Sequence, residues 1–486
     1  MFPIETRTYL NYIDGQFSAS STGKTLEIFC PGDGQRVSIV PASAAEDIDR
    51  GVEAARRAFF EEDWAFNPRL RSQAMFAWAA QIREHLEEVA YVLSAETGKP
   101  LGEARFEVNG SLGYLEYYAS AVRTLYGGST AVNGESLSIT AREPVGVVGG
   151  IVPWNYPITL FMRDMAPALA TGNTIVVKPA GTTAGSNLIL MELLDQCGLF
   201  PRGVVNCVSG QGSVIGDCLL HHPDVDMISF TGSLAVGKHI MRECAETMKK
   251  VSLELGGKSA NIIFEDADLS KALPYAMKAM FTHAGQICFA GTRVVVQRSI
   301  AADFVKQLKQ AAEALVVGHG FDSRTTMGPV NSEKQLQSVL DYIEVGKQWS
   351  KLVTGGYRLT DGELSKGYFI APTIFLDPPV DCPIVQEEIF GPVMVVQTFD
   401  TEEEAIALAN GTPYGLASAV WTKDVDRGMR VARRMRAGSA WINCYNRLFP
   451  ECETGGYKMS GFDRAGGVEG MMKYTEVKHI CVDWGK

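Results

Sequence analysis

Three polar residues stand in local settings where their side chains could do chemistry: Cys288, Glu254 and Asn155. Cys288 is framed by small residues in the segment GQICFAG, which leaves room for a ligand to approach its sulfur. A lone cysteine is more often a small buried hydrophobic residue than a nucleophile, so this signal needs support from other residues. The other cysteines of the chain lack such a glycine-framed setting.

Glu254 ends an apolar strand before two glycines, so it is either a carboxylate that reaches solvent or a general base in a cleft. Asn155 lies between Pro153 and Pro157, where it either forms an Asx turn or aims an amide at a developing oxyanion. Together with the thiol of Cys288, the carboxylate of Glu254 and the amide of Asn155 suit the oxidation of an aldehyde through a thioester. A free thiol with a pKa of about 8.5 is mostly protonated at pH 7, so the site must lower that pKa or supply a base.

Two segments could bind a dinucleotide. Gly210, Gly212 and Gly216 have the spacing GxGxxxG, one residue longer than the usual fingerprint, and such a motif is more often a strand-to-helix turn. Ser233 follows an apolar strand in FTGS and opens a helix, so it is either an ordinary N-cap or a pyrophosphate ligand. Gly212 and Ser233 are therefore candidate cofactor-binding residues.

The apolar pattern from residue 145 onward predicts strands that alternate with helices, which is typical of a doubly wound parallel sheet. A second α/β stretch follows from residue 261, and the tail 473–484 is predicted to be a strand that pairs with another segment or subunit. Earlier in the chain, the pattern predicts helices over 45–60, 70–95 and 101–123 and a polar hairpin over 129–142. The predicted elements after residue 145 are 145–152, 162–170, 174–178, 184–196, 204–208, 214–221, 227–230, 236–249 and 250–254.

The bulk properties exclude several classes of protein. A chain of 486 residues is too long for one core, so two or three domains are expected. Its 46% hydrophobic residues suit a soluble globular protein, and its net charge of -11 argues against binding to nucleic acid or to an anionic membrane. No long apolar run or signal peptide is found. The ten cysteines form no CxxC pair, which favours reduced thiols in the cytoplasm and no metal site.

Seven segments, in order along the chain, resemble motifs of the aldehyde dehydrogenase superfamily. They are PWNYP (153–157), KPA (178–180), FTGS (230–233), LELGGKS (253–259), GQIC (285–288), EEIFGPV (387–393) and GGYKMSG (455–461). The resemblance implies an α/β fold with a Rossmann-like NAD(P)-binding domain, an α/β catalytic domain and a bridging β oligomerisation element in a homodimer or homotetramer. The NAD(P)-binding domain would comprise residues 1–121 and 145–256, and the catalytic domain residues 257–458. The oligomerisation element would comprise residues 122–144 and 459–486.

The resemblance also implies roles for single residues. Cys288 would be the nucleophile and Glu254 the base, while Asn155 and the backbone amide of Cys288 would bind the oxyanion. Gly181 replaces a glutamate that many NAD-preferring relatives carry, so NAD or NADP could be the cofactor. Ala465 replaces another frequent glutamate, which leaves Glu254 as the base. The implied cofactor contacts are Lys178 for the adenosine ribose, Trp154 and Ser233 for the pyrophosphate, and Glu388 and Phe390 for the nicotinamide ribose and ring.

The substrate prediction depends on Arg163. The middle of the chain looks most like the betaine aldehyde dehydrogenase branch, but Arg163 stands where that branch has a tryptophan of its cation cage. Arg163 looks like the arginine that binds the substrate carboxylate in succinate-semialdehyde dehydrogenases, and Arg447 and Arg105 could add to it. We therefore predict an aldehyde that bears a carboxylate or another anion. In the alternative, Arg163 points away and pairs with Asp164 or Glu453, and the substrate is betaine aldehyde or an aromatic aldehyde.

Three rival functions remain open at this stage. A CoA-acylating dehydrogenase would share the fold, but such enzymes generally lack a base like Glu254. A cysteine hydrolase could use His283 beside Cys288, although no third orienting group is evident and the dinucleotide motifs would be unexplained. A non-catalytic binding protein on this scaffold would not need the nucleophile, the base, the oxyanion donor and the cofactor motifs together.

Overall fold

The computed structural model of the chain describes residue 2 and residues 4–485. Its N-terminal part contains short strands followed by four helices. The sequence pattern predicted one helix over 70–95, and this was wrong: two helices meet at His85, whose backbone (φ -102°, ψ 22°) leaves the helical region. The elements are β1 (Arg7–Thr8), β2 (Asn11–Ile13), β3 (Gln16–Ser18), β4 (Thr25–Phe29), β5 (Arg36–Pro41), α1 (Ala45–Glu61), α2 (Pro68–Glu84), α3 (Leu86–Thr97) and α4 (Leu101–Ala121).

The middle part alternates strands with helices, as predicted. Helix α5 begins at Pro157, five residues before the predicted start, because a proline at the first helical position has a backbone already suited to the helix. The predicted helix over 214–221 is a π-helical turn, Gly212–Gly216, followed by one short helix. The elements are β6 (Gly128–Ala131), β7 (Ser136–Pro144), β8 (Val147–Ile151), α5 (Pro157–Ala170), β9 (Thr174–Lys178), α6 (Ala184–Cys197), β10 (Val205–Cys207), α7 (Asp217–His221), β11 (Met227–Thr231), α8 (Leu234–Ala245) and β12 (Lys250–Glu254).

The C-terminal part again mixes strands and helices and ends in the long strand predicted for the tail. The elements are β13 (Ala260–Ile263), α9 (Leu269–Phe281), β14 (Arg293–Gln297), α10 (Arg298–Glu313), α11 (Glu333–Trp349), β15 (Lys351–Thr354), β16 (Thr373–Leu376), α12 (Pro383–Gln386), β17 (Val393–Phe399), α13 (Glu402–Asn410), β18 (Tyr414–Gly415), β19 (Ala417–Trp421), α14 (Val425–Arg434), β20 (Ser439–Ile442), β21 (Tyr457–Lys458), α15 (Glu469–Met472) and β22 (Thr475–Asp483).

Two seven-stranded sheets organise the molecule. The first has the order β12-β11-β8-β9-β10-β2-β3, in which the first five strands are parallel and β2 and β3 are antiparallel. The second has the order β15-β16-β17-β14-β13-β19-β20 and is parallel except at β15. The central strands of both sheets are almost entirely buried and mostly apolar, as is typical of parallel sheets covered by helices. The predicted α/β fold class is confirmed.

A separate three-stranded sheet joins the end of the chain to its middle. Strand β22 pairs antiparallel with β7, from Thr475 opposite Pro144 to Asp483 opposite Ser136, and β6 completes the order β22-β7-β6. The tail thus pairs with another segment of the same chain. Apolar side chains on this sheet remain exposed to solvent, and they are Val477, Ile480, Val482 and the adjoining Trp484.

The strand ends of the two large sheets face each other. In the first sheet, β8, β9, β11 and β12 are parallel, so their carboxyl ends lie at one edge. Loops from this edge contact the segments that lead into the amino ends of β13, β14 and β17 of the second sheet. Ligands of open α/β sheets bind at the carboxyl edge, so this junction is where a site is expected. In the part of the chain that the structure describes, no helix is both long and apolar enough to span a bilayer.

Candidate active site at the junction of two sheets

Cys288 lies in the loop between α9 and β14, and the residue is half-buried. The backbone of this loop lies close to Gly257, after β12. Only a residue without a Cβ permits this contact, because a Cβ at Gly257 would stand 2.5 Å from the backbone carbonyl oxygen of Cys288. Burial raises the pKa of the Cys288 thiol to about 12, against the opposing charge of Arg163, and the carboxyls of Glu388 and Glu254 raise it further. Such a thiol is protonated at neutral pH, so any attack by this sulfur would need a base to accept its proton.

Glu254 ends β12, and its side chain is buried at 4% exposure. The backbone carbonyl of Glu254 accepts a hydrogen bond from Gly232 (3.0 Å), which ties the ends of β11 and β12 together. Its Oε1 has no hydrogen-bond partner among the residues that the structure describes. Burial raises the pKa of the Glu254 carboxyl to about 7, although Arg163 and Lys473 oppose the shift. A carboxylate with this pKa can act as a base near neutral pH.

Asn155 links the two sheets directly. It lies in the turn between β8 and α5 and is buried. Its Nδ2 donates a hydrogen bond to the carbonyl oxygen of Gln286 (2.9 Å), two residues before Cys288. One amide hydrogen of Asn155 is thus used to attach its side chain to the nucleophile loop, and the second is free to serve a reacting oxygen.

Arg163 is buried close to both reactive groups. Its Nε and Nη2 donate to the carboxylate of Asp164 (3.1 and 3.2 Å), and Nη2 also donates to Thr231 Oγ1 (2.7 Å). The pairing lowers the pKa of Asp164 against the effect of its burial and raises that of Arg163. The alternative of an Arg163–Asp164 pair is therefore observed, yet the guanidinium still acts on the charges of Cys288 and Glu254. No hydrogen bond from Nη1 is formed within the described residues.

The other two predicted arginines lie further out. Arg105 is exposed on α4 and forms a bidentate pair with Glu87, with bonds of 2.7–3.0 Å. Arg447 is also exposed, and its Nη2 donates to Tyr275 Oη (3.2 Å), a residue that packs against the same hydrophobic cluster as Cys288. The structure thus places Arg447 at the margin of the site, whereas the guanidinium of Arg105 is held by Glu87 on the outer surface.

Glu388 and Phe390 come from the loop before β17 and face the first sheet. Glu388 Oε1 accepts a hydrogen bond from the backbone of Gly257 (3.0 Å), and burial raises the pKa of this carboxyl to about 7. A Cβ at Gly256 would overlap the carboxylate of Glu388, so any larger residue there would displace this side chain. The ring of Phe390 meets that of Trp154 edge to face at 5.4 Å between centroids.

Lys178, Gly212 and Ser233 lie at the same carboxyl edge. Lys178 ends β9, and its buried Nζ donates to the backbone carbonyl of Pro179 (2.9 Å). Burial lowers the pKa of Lys178 to about 8. A Cβ at Gly212 would lie 3.7 Å from that Nζ, so the π-helical turn packs directly on the lysine. Ser233 is the N-cap of α8 and accepts from the backbone N–H of Val236 (3.4 Å).

His283 does not pair with Cys288. Its ring is fully buried and packs edge-on against Tyr156, with 5.6 Å between centroids. Neither ring nitrogen has a hydrogen-bond partner within the described part of the chain, and burial lowers the pKa of His283 well below its usual value. This arrangement removes the support for a Cys–His hydrolase.

One cluster of metal-type ligands lies outside this junction, at Cys30, Asp33 and His319. The Nδ1 of His319 accepts a hydrogen bond from the backbone N–H of Phe321 (3.2 Å), so the proton of the neutral ring is on Nε2. Nε2 lies 3.3 Å from Asp33 Oδ2 and can donate to it. We therefore interpret the cluster as hydrogen-bonded, since a metal on Nε2 would need the proton on the other nitrogen.

Several residues near the site carried no recognisable sequence signal. Lys99 and Glu107 form a fully buried ion pair beside Asn155, and Lys473 donates to Ser252 Oγ (2.9 Å) two residues before Glu254. A lysine in a turn or near the chain end is normally exposed, so only the tertiary structure identifies these contacts.

A cysteine thiol, a carboxylate of raised pKa and a fixed amide, placed where two α/β sheets meet, define a class of cysteine-dependent α/β enzymes. Comparison with known proteins makes the class specific. The family model described as "Aldehyde dehydrogenase family" matches residues 17–480, and the chain belongs to that family. It is an aldehyde dehydrogenase, and this confirms the resemblance seen in the sequence.

The relatives extend over nearly the whole chain. The chain is 43% identical over 474 residues to the betaine aldehyde dehydrogenase of Bacillus subtilis (strain 168), which covers 96% of each protein. A crystal structure of betaine aldehyde dehydrogenase from Staphylococcus aureus in complex with NAD+ is similar with a TM-score of 0.97 and 38% identity, over 98% of this chain and 95% of that one. An aldehyde dehydrogenase structure from Bacillus cereus matches with a TM-score of 0.96 and 42% identity, over 98% and 97% of the two chains.

Proposed function

We propose that the chain oxidises an aldehyde to a carboxylic acid with NAD+ or NADP+, through a thiohemiacetal and a thioester on Cys288. Glu254 is the general base that activates the hydrolytic water, and Asn155 with the backbone amide of Cys288 binds the oxyanion. The observation that carries this proposal is the convergence of the two sheets: the Cys288 carbonyl lies against Gly257, and Asn155 donates to Gln286.

The cofactor assignment is supported by donors left free at the carboxyl edge. Lys178 Nζ makes one hydrogen bond within the described residues, although an ammonium carries three donors. The N-terminus of α8 at Ser233 suits a pyrophosphate. When bound, the oxidised nicotinamide accepts a hydride. We assign Lys178, Gly212, Trp154 and Ser233 to the adenosine and pyrophosphate part, and Glu388 and Phe390 to the nicotinamide ribose and ring.

The residues of this chain then account for each proton. Glu254 accepts the thiol proton as the Cys288 sulfur bonds to the aldehyde carbon, and the carbonyl electrons move to the oxyanion held by Asn155. Departure of a hydride from that carbon leaves a thioester. Glu254 releases the thiol proton to solvent and then takes a proton from water, and the hydroxide adds to the thioester. The C–S bond breaks to release the acid and a thiolate, which regains its proton from Glu254. The net reaction consumes aldehyde, water and NAD(P)+ and yields acid, NAD(P)H and one proton.

We assign residues 1–121 and 145–256 to cofactor binding, residues 257–458 to catalysis, and residues 122–144 and 459–486 to assembly into a homodimer or homotetramer. The exposed apolar side chains of the β22-β7-β6 sheet support the last assignment, because such patches usually mark an interface. All ten cysteines are unpaired, which supports a reducing, cytoplasmic setting.

The experiment measures NAD(P)H fluorescence with a panel of aldehydes, with and without CoA, in the native chain and in Cys288→Ser. We expect NAD(P)H without CoA in the native chain, and a loss of about 10³-fold or more in Cys288→Ser, because a serine hydroxyl is a far weaker nucleophile. Binding of NAD(P)+ should still quench the tryptophan fluorescence of Cys288→Ser, which would show that the variant is folded and binds the cofactor. A requirement for CoA would support the acylating alternative, and full activity in Cys288→Ser would contradict the proposal.

For the substrate we propose an aldehyde that bears a carboxylate or another anion, bound by the free Nη1 of Arg163 with help from Arg447. The buried cation at position 163 supports this choice over a quaternary ammonium, which needs aromatic faces in the tunnel. The second candidate is betaine aldehyde, which the similarity to proteins of that name favours. An uncharged aromatic aldehyde is the third substrate to compare.

The test compares kcat/KM for succinate semialdehyde, betaine aldehyde and benzaldehyde in the native chain and in the double variant Arg163→Met/Asp164→Asn. Both charges are removed together, so neither is left buried and unpaired. Loss of a charged hydrogen bond should lower the ratio of succinate semialdehyde to benzaldehyde by about 10-fold or more. General damage to the site would lower both values and leave the ratio unchanged, which would contradict recognition by Arg163.

A further inference from the structure

A fully buried ion pair lies beside Asn155 and has no part in the proposed reaction. Lys99, in the turn between α3 and α4, bonds to Glu107 on α4, and both side chains have 0% exposure. Removing two charges from water costs several kcal/mol for each ion, so such a pair is not explained by stability alone. Its other contacts show what it holds in place.

The remaining donors of Lys99 contact the turn that carries Asn155. Its Nζ donates to the backbone carbonyl oxygen of Asn155 (2.9 Å) and lies 4.0 Å from the centroid of the Tyr156 ring. The ammonium is therefore in contact with a carboxylate, a carbonyl and an aromatic face. The carboxylate belongs to α4, and the carbonyl and the aromatic ring belong to residues 155 and 156.

Glu107 holds the same segment from the side of the helix. Its Oε1 accepts hydrogen bonds from the backbone amides of Ile158 (3.0 Å) and Thr159 (3.2 Å), in the first turn of α5. These amides have no partner within their own helix, so the carboxylate satisfies them and fixes where α5 begins. Together the two charges bind the backbone on either side of the Tyr156–Pro157 pair.

We propose that Lys99, together with Glu107, is a positioning residue that fixes the oxyanion-binding amide of Asn155 by holding the backbone of the same turn. This inference rests on the role proposed for Asn155. Lys99 touches no reacting atom, and it acts through the residue whose Nδ2 also donates to Gln286 beside the nucleophile. Oxyanion donors must lie within about 2.7–3.1 Å of the developing charge, and a misplacement of about 1 Å can cost about 100-fold in rate.

The variant Lys99→Met/Glu107→Gln removes both charges and keeps an oxygen that can accept the α5 amides. We expect it to lower the rate of hydride transfer, measured as the single-turnover formation of NAD(P)H, by about 10- to 100-fold. The rate of Cys288 alkylation by iodoacetamide should change by less than about 3-fold, because alkylation needs the thiol but no oxyanion site.

The matched control is Arg71→Met. Arg71 is also a buried cation that binds backbone carbonyls, and one of them is that of Ala170 at the opposite end of α5 (3.0 Å). Its loss should lower the midpoint of thermal unfolding and leave the single-turnover rate unchanged. Equal losses of rate in the two variants would mean that Lys99 has only a structural role and would overturn the inference.

A double-mutant cycle with Asn155→Ala decides whether Lys99 acts through Asn155. If it does, adding Lys99→Met/Glu107→Gln to Asn155→Ala causes little further loss of single-turnover rate. Multiplied losses, or a parallel fall in alkylation, would overturn the positioning role while the role of Asn155 stands. A fully active Asn155→Ala would instead refute the oxyanion site of the proposed function, and the positioning inference with it.

Discussion

At the scale of single residues, the site contains two groups with raised pKa values, the thiol of Cys288 and the carboxyl of Glu254. Burial makes the Cys288 thiol a poor acid, and it also makes the Glu254 carboxyl a base strong enough to act near neutral pH. The nearby Arg163 opposes both shifts, whereas Asp164 adds to the shift of Glu254. The chemistry therefore depends on neighbours as much as on the reacting groups.

The pKa of Glu254 predicts the acidic limb of the pH profile. The ionised carboxylate is the active form, so kcat should rise with pH up to about 7 and fall about tenfold per unit below it. Glu254→Gln should lower steady-state turnover by about 100-fold or more and remove the acidic limb from the activity that remains, because it removes the base. The measurement is stopped-flow fluorescence between pH 5.5 and 8.5. An unchanged acidic limb in Glu254→Gln would assign it to another group.

Replacement of Gly181 by glutamate should change the preference between NAD+ and NADP+. A Cβ there would meet only the carbonyl oxygen of Gly210 at 3.9 Å, so a longer side chain has room. In Gly181→Glu the new carboxylate should repel a 2′-phosphate and lower kcat/KM for NADP+ by about 10-fold or more relative to NAD+. The neutral variant Gly181→Gln separates charge from bulk. Equal effects of the two variants would show that the loss is steric.

The sequence was informative about residues with a chemical signature and silent about those that support them. Cys288, Glu254 and Asn155 could be selected from their types and neighbours, and the structure brings them to one junction. Lys99 and Glu107 could not be selected, because their burial follows from how α4 packs on the Asn155 turn and not from local pattern. Long-range packing of this kind leaves no trace in spacing or composition.

At the scale of elements, periodicity located most strands and helices but not their ends. The predicted strand over 174–178 matches β9, whereas α5 begins earlier than its apolar pattern because Pro157 starts it. The helix predicted over 70–95 breaks at His85, where only the backbone angles of the folded chain reveal the stop. Helix ends depend on capping and on neighbouring elements, which hydrophobic periodicity does not record.

If β22 belongs to the subunit interface, its removal should prevent the chain from forming a homodimer or homotetramer. A chain that stops after Tyr474 loses the whole strand, which leaves β7 without the partner that covers Ser136–Pro144. We expect the native chain to be a homodimer or homotetramer and the truncated chain to be a monomer of lower thermal stability, by light scattering after size-exclusion chromatography.

The point variant Ile480→Asp is the matched control for that truncation. It keeps the backbone pairing and places a charge on the exposed apolar face. If that face is the interface, Ile480→Asp dissociates the assembly without a large loss of stability. A truncated chain that keeps the native mass would contradict the assignment of β22 to assembly.

At the scale of the whole molecule, strand order was beyond what the sequence could give. Alternating strands and helices indicated a parallel doubly wound sheet, but nothing local indicated that β2 and β3 form its far edge. The second sheet likewise pairs β19 with β13, across more than a hundred intervening residues, and adds β20 on the far side of β19. Such pairings are decided by which apolar surfaces remain to be covered once the nearer elements have packed.

The pairing of β2 with β10 has a consequence for synthesis of the chain on the ribosome. Tyr12 pairs with Cys207, and the side-chain oxygen of Asn11 accepts a hydrogen bond from the backbone of Ser209 (2.9 Å). At about 5–20 residues per second, these partners emerge roughly 10–40 s after the first strands. During that interval a nascent hairpin with apolar side chains has no sheet to join, so it is the segment that we expect a ribosome-bound chaperone to shield.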